Sequence, residues 1–247
     1  MNVSVYQAAS ALNAMDRWQE VIAENIASAS VPGFKKKEFS FAAVEAGLRP
    51  PSPNSHQPSP VLMPQGREST NFQPGDFHVT GVKTDMAVDG TGFFAVQLPD
   101  GSTGFTRDGE FRISVQGQLV TKNGFLVQGD SGPIQLDPNN HGEVSISATG
   151  EISQGTDRKG RIKLVEFAQP QQLSRLNGGY FLDGGAAGAA DATNSSVRQG
   201  VIESANTSTT TDMAQVLTAM KIYEANHKVT QMHDERMSRS ISELIPV

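Results

Sequence analysis

Residues 213–244 read MAQVLTAMKIYEANHKVTQMHDERMSRSISEL, and neither proline nor glycine occurs between Thr210 and Ile245. Apolar side chains fall at Met213, Val216, Leu217, Met220 and Tyr223, then at Met237, Ile241 and Leu244. Steps of three and four mark one face of a helix. Glu224–Lys228 and Glu235–Arg239 add i, i+4 pairs in the favourable order. Thr209-x-x-Asp212 has the form of a capping box with Asp in the Glu place. The spacing predicts a helix of about 33 residues, roughly 50 Å long. That is longer than a globular domain ordinarily needs.

The opposite end repeats the pattern. Val5, Ala8, Leu12, Met15, Ile22 and Ile26 are spaced by three, four or seven, with Asn2 and Ser4 as candidate caps. Asp16, Glu20 and Glu24 line one flank, and Pro32-Gly33 ends the helix. Lys35, Lys36 and Lys37 follow, either as a solvated turn or as a contact with an acidic neighbour. Two slender helices cannot bury these stripes on each other alone. The ends are expected to fray in an isolated chain and to order when copies or homologues pack around them. The alternative is that they dock on the chain's own middle.

That middle differs in composition. Of 24 glycines, 21 lie between Gly75 and Gly200, where they serve turns and disfavour helix. Asp85–Val88, Phe93–Leu98, Gly104–Arg107 and Glu110–Val115 are strand candidates between turn signals. In the last, Phe111, Ile113 and Val115 share a face. Gln118–Lys122 and Phe125–Gln128 flank Asn123-Gly124, a strong hairpin signal. Pro133–Leu136, Glu143–Ser147, Glu151–Ser153 and Arg161–Ala168 continue the series, which predicts an antiparallel sandwich or barrel. Residues 184–200 lack large apolar side chains and read as a flexible return path. Six of 13 prolines crowd residues 50–64, which read as an extended linker. The expected organisation is an N-terminal helix over 1–32, a linking arm over 33–74 and a β-rich domain over 75–200. A C-terminal helix over 205–247 packs against residues 1–32.

Composition narrows the function. The 247 residues carry no cysteine, so disulfide, thiolate and Cys-based metal chemistry are excluded. A net charge of -6 argues against a nucleic-acid partner. Apolar runs of about four residues predict no membrane insertion. The first 15 residues lack Lys and Arg, so no cleaved leader is expected. Histidines 56, 78, 141, 227 and 233 form no HExxH or other tight ligand set. Asp89, Asp100 and Asp108 stand beside glycine, where turn chemistry explains them; Asp85 lies nearby. No GxSxG, GxGxxG or Walker A pattern occurs. No catalytic, cofactor or metal site is expected, and no enzyme.

Three stretches carry a family likeness. In Val21-Ile-Ala-Glu-Asn-Ile-Ala-Ser-Ala-Ser-Val-Pro-Gly-Phe-Lys35, the residues Asn25, Ala27, Gly33, Phe34 and Lys35 fit the pattern A-N-N-L-A-N followed by x-G-F-K. Glu24, Ser28, Val31 and Pro32 depart from it. Val88-Asp-Gly-Thr-Gly-Phe-Phe-Ala-Val96, Phe105-Thr-Arg-Asp-Gly-Glu-Phe111 and Gly117-Gln-Leu-Val120 fit G-x-G-F-F, Y-T-R-x-G-x-F and G-x-L-V, with Phe105 for Tyr. Tyr223-Glu-Ala-Asn-His-Lys228 fits R-x-Y-E-x-N-x-K, with Lys221 for Arg. The chain thus resembles the flagellar basal-body rod and hook family of axial proteins, closest to its proximal- and distal-rod members.

The resemblance implies a mixed α and β fold. Long N- and C-terminal helices pair as a coiled-coil-like inner domain, and a mostly antiparallel β-domain faces outward. It implies a structural subunit of the rod, the flagellar drive shaft, spanning the periplasm. Its partners would be copies of itself, other rod and hook proteins and the flagellar type III export apparatus. The expected assembly interface comprises Leu12, Met15, Ile22, Asn25, Ile26, Met213, Val216, Leu217, Met220, Tyr223, Ile241 and Leu244. Gly33 and Phe34 would set the exit from the first helix. The shorter length favours the proximal rod. A second function class is an oligomeric surface adhesin or ligand-binding β-domain on a helical stalk.

Overall fold

The computed structural model describes residues 3–49, 59–138, 140 and 142–244. Asn2, residues 50–58, His56, His141 and the side chains of Val5, Ile241 and Leu244 lie outside the described set. Both predicted helices form, α1 over Val3–Ala27 and α2 over Thr209–Leu244. Helix α2 begins directly after Ser208, whose carbonyl accepts from Asp212 N–H at 2.9 Å as the first bond of the helical ladder. The described residues divide into two compact units.

One unit contains α1, α2 and residues 37–69. The expected linker is instead a two-stranded ribbon, β1 (Lys37–Arg49) with β2 (Ser59–Thr70), on either side of residues 50–58. The strand residues Phe39 and Phe41 supply a face that an irregular linker would lack. Trp18 of α1 meets the Phe41 ring edge-on at 5.7 Å, and Phe41 meets Phe39 at 5.1 Å. Ser10 Oγ donates to Pro64 O at 2.6 Å and Gln7 Nε2 to Leu62 O at 2.9 Å. These carbonyls of Pro64 and Leu62 anchor the ribbon on the helix.

The other unit contains residues 28–36 and 70–207. Its main sheet runs in the order Ser174–Leu176, Tyr180–Leu182, Thr103–Thr106, Phe93–Gln97, Leu126–Gly129, Leu119–Thr121 and Phe111–Ile113, with antiparallel pairing throughout. The strand Phe93–Gln97 is its centre. Phe94 and Val96 enter one core, with Met86, Val88, Phe111, Val127 and Ile152. Phe93 and Ala95 enter a second, with Phe105, Val165, Phe167 and Phe181. Both faces of this strand are covered, so its apolar run does not alternate.

Two sequence expectations need correction. Residues 184–200 are not a flexible path. Ala189–Asp191 pairs with Leu164–Phe167, and Ser196–Gln199 pairs with Met86–Asp89. Backbone hydrogen bonds hold these strands, and small side chains suffice where the bonds do the work. Glu110–Val115 does not keep one buried face. Phe111 is buried, but Gly117 N–H bonds Ser114 O and turns the chain, leaving Val115 at the tip 92% exposed.

Candidate assembly surface and neck

On α2 the covered positions are Asp212, Val216, Ala219, Tyr223, Asn226, Thr230 and His233. They step by four and three alternately, the heptad spacing of a two-helix seam. The seam faces α1, against which α2 packs. Ala219 is fully buried, and its small side chain permits close approach. The seam is mostly small or polar. Several large apolar residues look elsewhere: Met213 is 55% exposed, Leu217 62% and Met220 48%. Val229, Met232 and Met237 are exposed as well. Of the expected interface residues on α2, then, Val216 and Tyr223 belong to the internal seam, and Met213, Leu217 and Met220 form an outward row.

On α1, Ile22 is buried, and Leu12, Met15 and Ile26 are half-buried within the unit. Asn25 is buried for a different reason. Its amide bonds both the N–H and the C=O of Lys37, tying the ribbon to the last turns of the helix. Lys37 Nζ also pairs with Glu24 at 2.5 Å. Periodicity does not reveal this pairing, because Asn25 acts through hydrogen bonds and not through apolar burial.

Gly33 and Phe34 belong to the β-rich unit. Gly33 has a φ of +65°, and a Cβ there would overlap the Arg107 backbone carbonyl. Phe34 is buried beneath the Arg175 guanidinium, 4.4 Å from its ring centroid. Lys35 corrects the reading of a solvated turn, for its side chain is wholly buried. Its ammonium donates to Glu203 Oε1 at 2.5 Å and to Gln73 O at 2.9 Å. Arg107 donates to Glu203 Oε2 at 3.4 Å, to Val88 O at 3.2 Å and to Gly90 O at 2.6 Å. Gly75 N–H donates to Glu203 Oε1 at 2.9 Å. Sequence reading missed this cluster because its members lie 168 residues apart at the extreme.

Burial pushes the Lys35 ammonium and the Arg107 guanidinium below their ordinary values, against the opposing pull of Glu203. Burial raises the Asp108 carboxyl to about 6. Asp108 Oδ1 accepts from Glu110 N–H at 2.9 Å, as expected for a turn aspartate. All three side chains are buried. Among the described residues no group of His, Asp and Glu could hold a metal ion. No described helix is long and apolar enough to cross a membrane.

Three family models cover this arrangement in sequence order. Residues 6–35 match the flagella basal body rod protein family, residues 87–154 the flagellar hook protein FlgE/F/G D1 domain, and residues 198–243 the flagellar basal body rod FlgEFG protein C-terminal family. The chain is similar along nearly its whole length to curated rod proteins. It is 30% identical over 246 residues to flagellar basal-body rod protein FlgF of Caulobacter vibrioides, covering 98% of each chain. It is 29% identical over 258 residues to FlgG of Buchnera aphidicola subsp. Baizongia pistaciae, covering 96% of this chain and 97% of the relative. It is 29% identical over 255 residues to FlgF of Escherichia coli K12, covering 97% of both. Helices at both ends and an antiparallel β-rich middle between them are the parts these three models divide among themselves, and the chain belongs to the flagellar basal-body rod and hook family as a structural, non-catalytic subunit.

Proposed function

We propose that this chain is a proximal-rod subunit of the flagellar drive shaft, assembled through the outward row of α2. One observation carries the reading: Met213, Leu217 and Met220 are exposed while the α2 seam is filled by smaller and more polar residues. Burying three such side chains between neighbours contributes about 1.5–3 kcal/mol each. Leu12, Met15, Ile22, Ile26, Val216 and Tyr223 shape the helix pair that presents the row, and Asn25 fixes the ribbon beside it. Ile241 and Leu244, whose side chains lie outside the described set, belong to the same proposed interface as sequence candidates only. Copies of the chain and other rod and hook proteins supply the facing helices, and the closed stack transmits torque across the periplasm. The chain reaches the rod through the flagellar export apparatus.

Relatives of both the FlgF and the FlgG type match over nearly the full chain. The proximal position is therefore the narrower part of the proposal, and localisation within the basal body decides it. The test is Leu217→Asp in a motile host with the tagged protein located by electron microscopy of basal bodies. The variant is expected to fold and to be missing from the rod, with motility lost. Normal incorporation of Leu217→Asp would overturn assembly through this row.

A further inference from the structure

Of the four chain connections of the β-rich unit, the first entry and the last exit, which lead toward the two chain ends, lie side by side. Gly33 N–H donates to Glu203 O at 2.7 Å, and Asn206 N–H donates to Phe34 O at 3.1 Å. Gly33 thus meets residue 203 and Phe34 meets residue 206, so the two segments run in the same direction. The first is reached from its N-terminal side and the second is left from its C-terminal side. Tension along the chain therefore draws the segments past one another and does not peel them apart. Every link between them is loaded together.

The links are numerous, and the central one is closed off from water. The Lys35–Glu203 pair is wholly buried. Lys36 N–H donates to Asn206 Oδ1 at 2.6 Å. Residues 71–75 form a third layer. Asn206 Nδ2 donates to Asn71 O at 2.9 Å and Gln73 O at 2.8 Å, and Asn71 N–H donates to Lys36 O at 2.9 Å. Behind them, Val201–Glu203 pairs with Phe77–Val79, and Arg107 ties Glu203 to the carbonyls of Val88 and Gly90. A buried ion pair contributes modestly to equilibrium stability, but breaking it by removing one partner is costly, because the other charge is stranded.

We propose that this neck is a shear clamp, which keeps the β-rich unit folded under tension along the chain until its links fail together. The inference stands apart from the assembly reading, because a single chain pulled by its ends experiences the same geometry. Its use in a torque-bearing assembly would be to pass force between the two chain connections without opening the unit.

The chain has no cysteine, so one cysteine added at each end supplies unique handles for single-molecule pulling on the full chain. After the terminal helices extend, the neck is expected to yield in one step. The residues between Gly33 and Asn206, at about 3.5 Å each, then release roughly 600 Å. Glu203→Ala is expected to raise the unfolding rate under load about 100-fold. Asn206→Ala, which keeps the ion pair, serves if Glu203→Ala does not fold, and it too is expected to speed the step. Opening in several shorter steps, or wild-type rates in the folded variants, would overturn the clamp. Neither result bears on Leu217, whose test is separate.

Discussion

The side-chain amide of Asn25 pairs with the backbone of Lys37 as a neighbouring strand would: Nδ2 donates to Lys37 O at 2.8 Å, and Oδ1 accepts from Lys37 N–H at 2.9 Å. The first residue of the ribbon is thereby satisfied by a helix side chain. Asn25→Ala strands both backbone groups in a partly buried place, at a cost of about 1–3 kcal/mol. Amide exchange at Lys37 is expected to quicken by about 10- to 100-fold, and exchange in Phe93–Gln97 to stay unchanged. Unchanged exchange at Lys37 would show that the pairing contributes little.

Asp108 makes a pH prediction of definite sign. Burial raises its carboxyl from 3.8 to about 6 in the folded chain, so folding favours the neutral acid. The folded state suffers no penalty below about pH 4, acquires one as pH rises toward 6, and carries all of it above. Asp108→Asn keeps an acceptor for Glu110 N–H and removes the ionisation. It is expected to be more stable than the parent at pH 7.5 by up to about 3 kcal/mol, with the advantage gone at pH 4. Urea midpoints at the two pH values decide it; an equal difference at both would rule out titration as the cause.

Gly33 and Gly124 separate backbone strain from collision. Both have positive φ, +65° and +85°. A Cβ at Gly124 meets nothing within 4 Å, but at Gly33 it overlaps the Arg107 carbonyl. Gly124→Ala therefore measures the left-handed backbone cost alone, about 1–2 kcal/mol. Gly33→Ala adds displacement of buried backbone beside the Lys35–Glu203 pair, and is expected to cost clearly more in chemical denaturation. Equal midpoints for the two variants would mean that the neck yields freely.

The two helices, the glycine-rich middle and most strand positions were legible because their signals are local. Phe93–Gln97 lies between turns, and α2 runs without a breaker. The ribbon was not legible because prolines near residue 60 mask strand residues on either side. The strands at residues 189–191 and 196–199 were hidden because backbone hydrogen bonds hold them with few apolar side chains, Val197 alone entering the core. The assembly row was legible only in part. Periodicity marks Val216 and Leu217 as one face, yet a helix in a seam has an inside and an outside, and adjacent residues can fall on opposite sides. The buried role of Lys35 depends on a carboxylate far along the chain, which no local pattern reports.

That split between neighbours can be measured in dilute protein before any assembly. Val216 sits in the α1–α2 seam and Leu217 points out. Val216→Asp places a charge between the helices and is expected to destabilise the helix pair by about 1–3 kcal/mol. Leu217→Asp exchanges an exposed side chain and is expected to change monomer stability by no more than about 0.5 kcal/mol. Circular dichroism melts of the dilute chain are the readout. Val216→Asp should lose helical signal at lower temperature, and Leu217→Asp should follow the parent. Equal losses would mean that Leu217 is used inside the monomer, and a failure of Leu217→Asp to enter the rod would then reflect a damaged subunit instead of a missing contact. Only a variant that folds like the parent and still fails to incorporate locates the defect between subunits, where an exposed apolar row on an otherwise satisfied helix has its use.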